Sequence, residues 1–508
     1  MAAPAGSGRR DDPDRILAAI DRFLNASRQP VLLEPGELHY PLAPDSFEIR
    51  SNPASVTIEV WDERRHLSRR VLGIRAEQPG KLELLVDKFP RRTGRLYLID
   101  LARPPGASAA VREKRHHFRE QFRFLLARQF PSWKIVELSS EPNLEFSLSG
   151  RYPRAMLAAG QRAMAAIAVP PQEDSPDGAL SFGLVWLDYL RRKRRAFAFE
   201  ALALFFPPGR ESATCLRLRW LDASLVQYQV FVYSQQGYVD QADLADYGNL
   251  DTRLEPFCDY RKALSARVLK WVDELAAVPE TELVAHRDGS ASLCVHGLEF
   301  ARAAGDQLDF GLSRRHLASS SSLGEIRRFA AELARLRSPD PPDPSNALYR
   351  LQPESWLGAQ LRASLPSIDA SLCAGPIYGQ VPARAGGDRG VLDLLGVDHS
   401  ARLAVLELKT SEDIHLPLQA LDYWIRVEWH LRRGEFSRYG YFPGLELSHE
   451  PPRLFLIAPA LDYHPTTETI LRFFSPRIPL VRIGLGLEWR RKLQVAFRVE
   501  GRGSPCAS

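Results

Sequence analysis

The sequence predicts a multidomain protein of mixed α/β and α+β class. At 508 residues the chain is longer than one hydrophobic core usually fills, so we expect several domains. Its composition, 45% hydrophobic and 25% charged, is typical of a globular protein. A β-rich stretch, a mixed stretch and an alternating α/β stretch follow one another, and turn-rich segments separate them.

We expect seven segments along the chain. The clearest boundary is residues 337–346, where four prolines within 339–344 exclude a helix and disfavour a ladder strand. No segment repeats at a fixed period. The expected segments are a disordered tail (1–11), a small β-rich domain (12–102), a mixed α/β domain of unknown role (109–280), a β-rich piece with a helix (281–336), the Pro-rich linker (337–346), an α/β domain (347–500) and a second disordered tail (501–508).

Local patterns support the elements of the first half. Asp12 and Pro13 form a helix start, with an N-cap residue followed by proline at the first helical position. Residues 31–101 contain short apolar runs separated by Gly, Pro and Asn turns, which predicts antiparallel strands. Residues 111–130 predict a helix with one apolar face and many basic residues elsewhere, and a further helix is expected over 256–276.

The last domain alternates helices and strands in the order α, β, β, α, β, α, β, β. Its central strands are apolar on both faces, which is typical of a sheet covered by helices. The expected elements are a helix over 353–365, strands over 390–397 and 402–410, a helix over 416–433, a strand over 453–461, a helix over 466–475 and strands over 479–489 and 492–499.

Three charged residues interrupt the apolar hairpin of this domain. They are Asp393, Glu407 and Lys409, and a charge buried there without a partner would cost several kcal/mol. Residues two apart in a strand share a face, and the hairpin turn brings Asp393 towards the other two. Gln419 and Tyr423 are four apart on the next helix and share a face as well. The sequence therefore predicts a polar site beside one sheet edge.

Each of these residues also has an ordinary interpretation. Glu407 and Lys409 could form a surface ion pair worth less than about 1 kcal/mol, and Asp393 could be a hydrogen-bonded core aspartate. Surface pairs normally alternate with polar residues, whereas these lie within apolar runs, so the combination favours a functional site. His415, close to the site in sequence, is either a metal or acid–base residue or a polar residue at a helix start.

The order of these pieces resembles the PD-(D/E)XK nuclease superfamily, in particular its RecB-like branch. The matching pieces are GVLD (390–393), ELK (407–409) and QALDY (419–423), the last of which is similar to the branch's Q-x-x-x-Y motif. The resemblance covers residues 354–458, and Leu392 stands where a literal motif has proline. It implies a C-terminal restriction-endonuclease-like α/β domain with a mixed central sheet, preceded by the β-rich and mixed α/β domains.

The resemblance implies a metal-dependent nuclease that hydrolyses phosphodiester bonds, with DNA as the expected substrate and RNA as an alternative. Asp393, Glu407 and the backbone carbonyl of Leu408 would bind Mg²⁺, for which hard oxygen ligands are suited, with Mn²⁺ as an alternative. Lys409 would orient water or stabilise developing charge. The implied catalytic residues are Asp393, Glu407, Lys409, Gln419, Tyr423 and Glu354.

Other cofactors and partners follow from what the sequence contains. Five scattered cysteines form no CxxC pair, so we expect neither zinc nor an iron–sulfur cluster. The chain has no P-loop motif, so any ATP-driven movement would need a separate helicase or motor partner. A net charge of +5 is compatible with a polyanionic partner. The expected nucleic-acid-binding residues are Arg426, Arg432, Arg433, Arg191, Arg192 and Lys193.

The sequence also predicts a cytoplasmic protein without a membrane segment. The N-terminus lacks the apolar stretch of a signal peptide, and no run of eighteen apolar residues occurs. A role in DNA repair or in defence fits the predicted activity equally well. The alternative to an enzyme is a catalytically inactive nucleic-acid-binding or protein-interaction module on the same fold. The sequence leaves substrate form, oligomeric state and the role of the first 340 residues open.

Overall fold

The fold is taken from a computed structural model, and the chain divides into two compact units, Met1–His117 and Phe118–Ser508. Across the described ranges, no helix is both long enough and apolar enough to cross a membrane. The predicted tails fall almost wholly outside these ranges. The residues described are 11–34, 40–42, 46–52, 55–61, 66–78, 80–88, 92–100, 106–143, 145–173, 176–234, 237–245, 252–312, 314–385 and 388–502.

The first unit is a seven-stranded antiparallel sheet covered by one helix. Helix α1 spans Pro13–Ala26, and the side chain of Asp12 caps it by accepting a hydrogen bond from the backbone N–H of Asp14. Its buried face packs on the sheet, whose order is β2-β1-β7-β6-β5-β4-β3. The strands are β1 Pro30–Leu33, β2 Tyr40–Pro41, β3 Phe47–Asn52, β4 Ser55–Trp61, β5 His66–Gln78, β6 Lys81–Lys88 and β7 Arg92–Asp100.

Residues 118–241, called the first module here, form a six-stranded mixed sheet with helices on both faces. The sheet order is β13-β12-β11-β10-β9-β8, in which β10, β11 and β12 are parallel neighbours and the other pairs are antiparallel. Its elements are helix α2 Gly106–Gln129, which enters the second unit at Phe118, β8 Lys134–Ser139, β9 Arg154–Ala159, β10 Arg162–Ala168, α3 Gly178–Lys193, β11 Ala198–Phe206, α4 Ser212–Leu218, β12 Gln227–Tyr233 and β13 Val239–Gln241.

A five-stranded antiparallel sheet follows and packs with two helices. The prediction of one helix over 256–276 is wrong in extent. A short helix ends before its C-cap residue Leu264, and a second helix begins after its N-cap residue Ser265. That second helix packs on the five-stranded sheet. The elements are α5 Tyr260–Ala263, α6 Ala266–Ala276, β14 Thr281–Ala285, β15 Ala291–Val295, β16 Leu298–Ala304, β17 Gln307–Phe310, β18 His316–Leu317 and α7 Leu323–Leu336.

Residues 353–500, called the second module here, form a second six-stranded mixed sheet, of order β19-β20-β21-β22-β23-β24. Strands β21, β22 and β23 are parallel neighbours and the other pairs are antiparallel. A short helix, α8 Ala347–Arg350, precedes it. Its elements are α9 Pro353–Ala363, β19 Tyr378–Ala385, β20 Asp388–Val397, β21 Leu403–Leu408, α10 Leu416–Arg432, α11 Glu435–Arg438, β22 Arg453–Pro459, α12 Thr467–Leu471, β23 Leu480–Leu485 and β24 Val495–Glu500.

The predicted element order of the second module lacks one strand. Strand β19 contains Gly379 and Pro382, in a segment for which no element was predicted. It lies at the edge of the sheet, where one side of the strand needs no ladder partner and proline is tolerated. The predicted hairpin strands and the helix over 416–433 are confirmed as β20, β21 and α10.

The two modules share one hydrophobic core. Helices α2 and α9 cover the outer faces of their sheets, in separate clusters. Helices α3 and α10 cover the inner faces, and their buried residues belong to a single cluster with both sheets. The charged residues of the predicted site lie at one end of the second sheet, next to α10.

Candidate functional site

The site is built on the last residues of β21. Strands β20 and β21 pair with Leu394 opposite Leu406, so Asp393 lies opposite Glu407 at the next position. The backbone N–H of Leu408 donates a hydrogen bond to Oδ2 of Asp393 at 2.9 Å. Glu407 follows the inward-facing residues of β21 at a spacing of two, which directs it towards α10.

Asp393, which is half-buried, and Glu407, which is buried, form a carboxyl pair within reach of a side-chain hydrogen bond. Glu407 is 3% exposed, and its Oε2 has no hydrogen-bond partner. Burial is the main cause that raises the pKa of Asp393, to about 6. Burial, and next the charge of Asp393, raise the pKa of Glu407 well above its usual range. Two carboxylates this close cannot both ionise cheaply without a cation beside them.

Lys409 supplies a positive charge at this pair. Its backbone N–H donates to the carbonyl of Ile457 at 3.0 Å, which continues the pairing of β21 with β22 beyond the end of β21. Its Nζ lies 3.7 Å from Oε1 of Glu354. Burial alone would lower the pKa of Lys409, but the charges of Glu354 and Glu407 outweigh it and the pKa is raised. The amine is therefore protonated at neutral pH.

The neighbouring five-stranded sheet fixes the helix start that carries Glu354. The turn between β15 and β16 packs against the first residues of α9, where the His296 ring stacks on Trp356 at 4.8 Å. Gly297 has a φ of 75°, and a Cβ there would collide with the carbonyl oxygen of Ser355. Only glycine allows this close approach, so the turn sets where α9 and Glu354 begin.

Helix α10 carries Gln419 and Tyr423 one turn apart. Oε1 of Gln419 is buried and has no hydrogen-bond partner. Burial, and then the charges of Glu407 and Asp393, raise the pKa of Tyr423, so its phenol lies within their electrostatic influence. The structure therefore places five of the predicted residues in one electrostatic cluster, namely Glu354, Asp393, Glu407, Lys409 and Tyr423, and Gln419 lies one turn before Tyr423 on α10.

The basic residues predicted on α10 have local partners. Arg426 is buried, and its guanidinium lies 5.9 Å from the ring centre of Tyr423. Arg432 is exposed and pairs with Glu428 at 2.5 Å. Arg433 lies over the ring of Trp429 at 4.5 Å. Their role towards nucleic acid stays a prediction.

Some of the basic residues predicted on α3 make structural contacts, and others are exposed to solvent. Arg191 donates to the carbonyls of Phe199 at 3.2 Å and Leu225 at 2.7 Å, and burial lowers its pKa. Arg192 pairs with Asp188, and it remains 61% exposed. Lys193 lies 5.0 Å from the ring of Phe146. Arg192 and Lys193 are therefore the exposed members of this group.

Two further residues lie in the loop that joins the site to α10. Asp413 acts electrostatically on both Glu407 and Lys409, and its Oδ1 accepts a hydrogen bond from the backbone N–H of His415 at 2.8 Å. Asp413 carries no distinctive sequence signal, because it lies in a polar loop, TSED, where an acidic residue is ordinary. His415 instead contacts the first module, with Nδ1 3.1 Å from Oγ of Ser181.

The donor set fits a hard divalent cation. Two adjacent carboxyl groups, one of them with a buried unpartnered oxygen, and the backbone carbonyl of Leu408 are oxygen ligands of the kind Mg²⁺ prefers. In the described ranges, no group of three or more His, Cys, Asp or Glu side chains could hold a metal ion. Mg²⁺ bound by these two carboxyl groups and this carbonyl would complete its coordination with water or substrate oxygens, as is usual for Mg²⁺.

Comparisons with known proteins leave the site to be interpreted from its own chemistry. A search against models of protein families found no matching family, and a search of curated proteins found no similar sequence. The arrangement combines a pair of carboxyl groups with a protonated amine and an amide. It is suited to stabilising negative charge that develops on a substrate near a bound cation.

Proposed function

We propose that the protein is a metal-dependent nuclease that hydrolyses phosphodiester bonds in DNA, and that the second module is its restriction-endonuclease-like catalytic domain. One observation carries this proposal: the carboxyl pair of Asp393 and Glu407, with a buried unpartnered oxygen, beside protonated Lys409. Such a pair is costly in the fold alone, because burying like charges raises their pKa values. A divalent cation and an anionic substrate give it a use.

The residues of the site divide the chemistry between them. Asp393, Glu407 and the carbonyl of Leu408 would hold Mg²⁺ or Mn²⁺, which when bound makes a coordinated water more acidic and neutralises phosphate charge. The ammonium group of Lys409 faces the same place and stabilises negative charge on the phosphate oxygens. Gln419 and Tyr423 position the DNA backbone or the Lys409 side chain.

The reaction is a hydrolysis without change of oxidation state. The oxygen of a water molecule forms a bond to phosphorus, and one bridging P–O bond breaks. The water loses one proton to solvent, and the leaving oxygen gains one. The products are a phosphate monoester and a hydroxyl group. Uncatalysed phosphate ester hydrolysis is among the slowest reactions known, so charge stabilisation at this site must supply most of the rate.

The remaining parts of the proposal concern partners. RNA is the alternative substrate, and the N-terminal unit and the first module would select or position the nucleic acid. A separate helicase or motor protein is the partner that would supply ATP-driven movement. The exposed arginines Arg192, Arg432 and Arg433 are the candidates for phosphate contacts.

Cleavage of labelled DNA in the presence of Mg²⁺ or Mn²⁺ tests the proposal. The wild-type chain is compared with Glu407→Gln, which keeps the shape of the side chain but removes the charge. Glu428→Gln is the matched control, because Glu428 is also a buried glutamate with an unpartnered oxygen but lies towards the other end of α10.

We expect wild-type protein and Glu428→Gln to cut DNA in either metal, and EDTA or Glu407→Gln to abolish cutting. Circular dichroism and thermal melting establish that both variants are folded. Tight DNA binding by the wild-type chain without any cleavage in Mg²⁺ or Mn²⁺ would contradict the proposal and favour the inactive binding module.

A further inference from the structure

The two modules of the second unit have the same topology. Each begins with a helix, continues with three antiparallel strands, crosses through a long helix to a fourth strand parallel to the third, and crosses through a short helix to a fifth. A sixth antiparallel strand ends each sheet. The sheet orders β13-β12-β11-β10-β9-β8 and β24-β23-β22-β21-β20-β19 therefore correspond strand for strand, with the same directions.

The strand register identifies equivalent residues in the third strands. In the second module the last pair of β21 with β22 is Leu408 with Ile457, and the N–H of Lys409 then donates to the Ile457 carbonyl. In the first module the last pair of β10 with β11 is Ala168 with Phe205, and the next N–H again donates to the carbonyl of the partner residue, Phe205. Lys409 therefore corresponds to Val169, and Glu407 corresponds to Ile167.

The same method identifies the equivalent of Asp393. Asp393 lies opposite Glu407 across the hairpin, and Arg154 lies opposite Ile167. Trp186 in α3 and Trp424 in α10 lie at the same number of residues from the start of their helices, so they are equivalent as well.

The positions that carry the site in the second module hold no carboxyl group in the first. Ile167 and Val169 are buried in the shared hydrophobic core. Arg154 is buried too, and it donates to the carbonyls of Ser149 at 3.1 Å and Glu141 at 2.6 Å. The first module therefore has the fold of the second without carboxyl groups at these equivalent positions.

The modules meet through equivalent elements. Helix α3 packs against α12, and α10 packs against α4, which is the reciprocal contact. Leu221 and Phe474 form an antiparallel bridge, and each lies three residues beyond the end of its short helix, α4 or α12. A contact in which the same elements of two copies meet each other reciprocally is the pattern of a two-fold interface.

The edge that carries the site in the second module also lies next to the equivalent edge of the first. The ring of Phe182, in the first turns of α3, lies 5.7 Å from that of His415 and 5.6 Å from that of Tyr152. Tyr152 is two residues before Arg154, and His415 is six residues after Lys409. The two equivalent edges therefore lie close together.

We propose that the chain is an internally duplicated nuclease, a built-in dimer that binds duplex DNA but cuts only one of its strands at each encounter. This inference rests on the proposed function and names its substrate and product. A two-fold arrangement of modules matches the two-fold relation between the strands of a duplex, as symmetric DNA-binding dimers do. With carboxyl groups at these equivalent positions in one module alone, the chain can hydrolyse one strand, so its product is a nick.

The test follows supercoiled plasmid in Mg²⁺, with light scattering to establish the concentration range in which the chain is a monomer. The wild-type chain is compared with Asp393→Asn and with Arg154→Lys, the conservative change at the equivalent position. We expect relaxed circles to accumulate almost completely before linear DNA appears by a second, independent nick. We also expect Asp393→Asn to form neither product, and Arg154→Lys to give the wild-type product order.

Three outcomes would overturn the inference, and they differ from one another. Linear DNA formed in step with relaxed circles by the monomeric chain would leave the proposed function standing but refute single-strand cutting. Cleavage of single-stranded oligonucleotides at least tenfold faster than of the matching duplex would refute the duplex substrate. Absence of any cleavage in Mg²⁺ and Mn²⁺ would refute the proposed function and this inference with it.

Discussion

The first and second modules arrange six strands in the same order around one shared core, yet they fill one position of that fold differently. In the first, the end of the third strand carries Ile167 and Val169, which pack in the core. In the second, it carries Glu407 and Lys409, and a carboxylate oxygen is buried without a partner. The fold is compatible with either solution, so activity depends on the residues grafted on it.

The residues at these positions also affect the stability of the two modules in opposite ways. Apolar residues at these positions stabilise the first module by burial, at roughly 25 cal/mol for each Å² of apolar surface removed from water. The second module instead holds a carboxyl pair whose pKa values are raised mainly by burial. Sites that break a local packing rule are where function is expected.

The largest expected effect separates the modules by activity. We expect Asp393→Asn to lower the single-turnover rate of DNA cleavage by about 10³-fold or more, because one ligand charge and its electrostatic stabilisation are lost. Arg154→Lys, at the equivalent position, should change the rate less than about threefold, since Arg154 contacts carbonyl groups and the Trp186 ring of its own module. Rates are measured with enzyme in excess over a labelled duplex. Equal losses in both variants would mean that the modules are not divided in this way.

The next largest effect tests the contact between the modules. Phe474 is fully buried beside the bridge to Leu221, so Phe474→Ala should destabilise the chain by about 3–5 kcal/mol. Leu221→Ala should destabilise it by about 2–5 kcal/mol. Urea unfolding followed by tryptophan fluorescence measures both. Loss of less than about 1 kcal/mol in each variant would show that the two modules do not depend on this contact.

A third prediction concerns the stability of the metal-free site. The pKa of Asp393 is about 6 in the fold and about 4 in an unfolded chain, so the folded state holds its proton more tightly. Below about pH 4 the carboxyl group of Asp393 is protonated in both states and does not lower the free energy of unfolding. As pH rises through 6 the group ionises in the folded protein, and that free energy falls. Asp393→Asn should therefore stabilise the metal-free protein at pH 7 by about 2–3 kcal/mol while it removes activity.

Thermal melting in EDTA from pH 4 to pH 8 checks this prediction. The gap between the melting temperatures of Asp393→Asn and wild type should widen as pH rises and close near pH 4. Arg154→Lys should follow the wild-type pH dependence. A gap that stays constant with pH, or a variant less stable than wild type at pH 7, would contradict a strained carboxyl pair.

The smallest expected effect comes from the edge of the site. Glu354 is 41% exposed and lies 3.7 Å from Nζ of Lys409, so it assists rather than carries the chemistry. We expect Glu354→Gln to lower cleavage by about tenfold and to lower the pKa of Lys409, which would make activity fall at a lower alkaline pH. A pH profile of cleavage measures both. An unchanged profile would mean that Glu354 does not act through Lys409.

Much of the second module could be predicted from the sequence because its patterns are local. The apolar runs predicted β20 and β21, and the spacing within the strands and α10 predicted that Glu407, Lys409, Gln419 and Tyr423 face one place. Strand β19 could not be predicted, because glycine and proline in the segment indicate a loop unless the strand is known to lie at an edge.

The duplication could not be predicted from the sequence, for a different physical reason. A buried strand needs apolar residues of suitable volume and no particular sequence, so two copies of one fold need not share residues. Glu407 corresponds to Ile167 and Lys409 to Val169, so the most distinctive residues of one copy have no counterpart in the other. Only the order and directions of the strands, together with Trp186 and Trp424, reveal the relation.

A crystal structure with Mn²⁺, in which anomalous scattering locates the ion, tests most directly whether the second module alone binds a cation. If only the second module holds a cation site, the anomalous map should show a peak in contact with Asp393, Glu407 and the carbonyl of Leu408. It should show no peak beside Arg154 and Ile167. A peak that persists in Asp393→Asn, a peak in the first module, or no peak at all at millimolar Mn²⁺ would contradict the account.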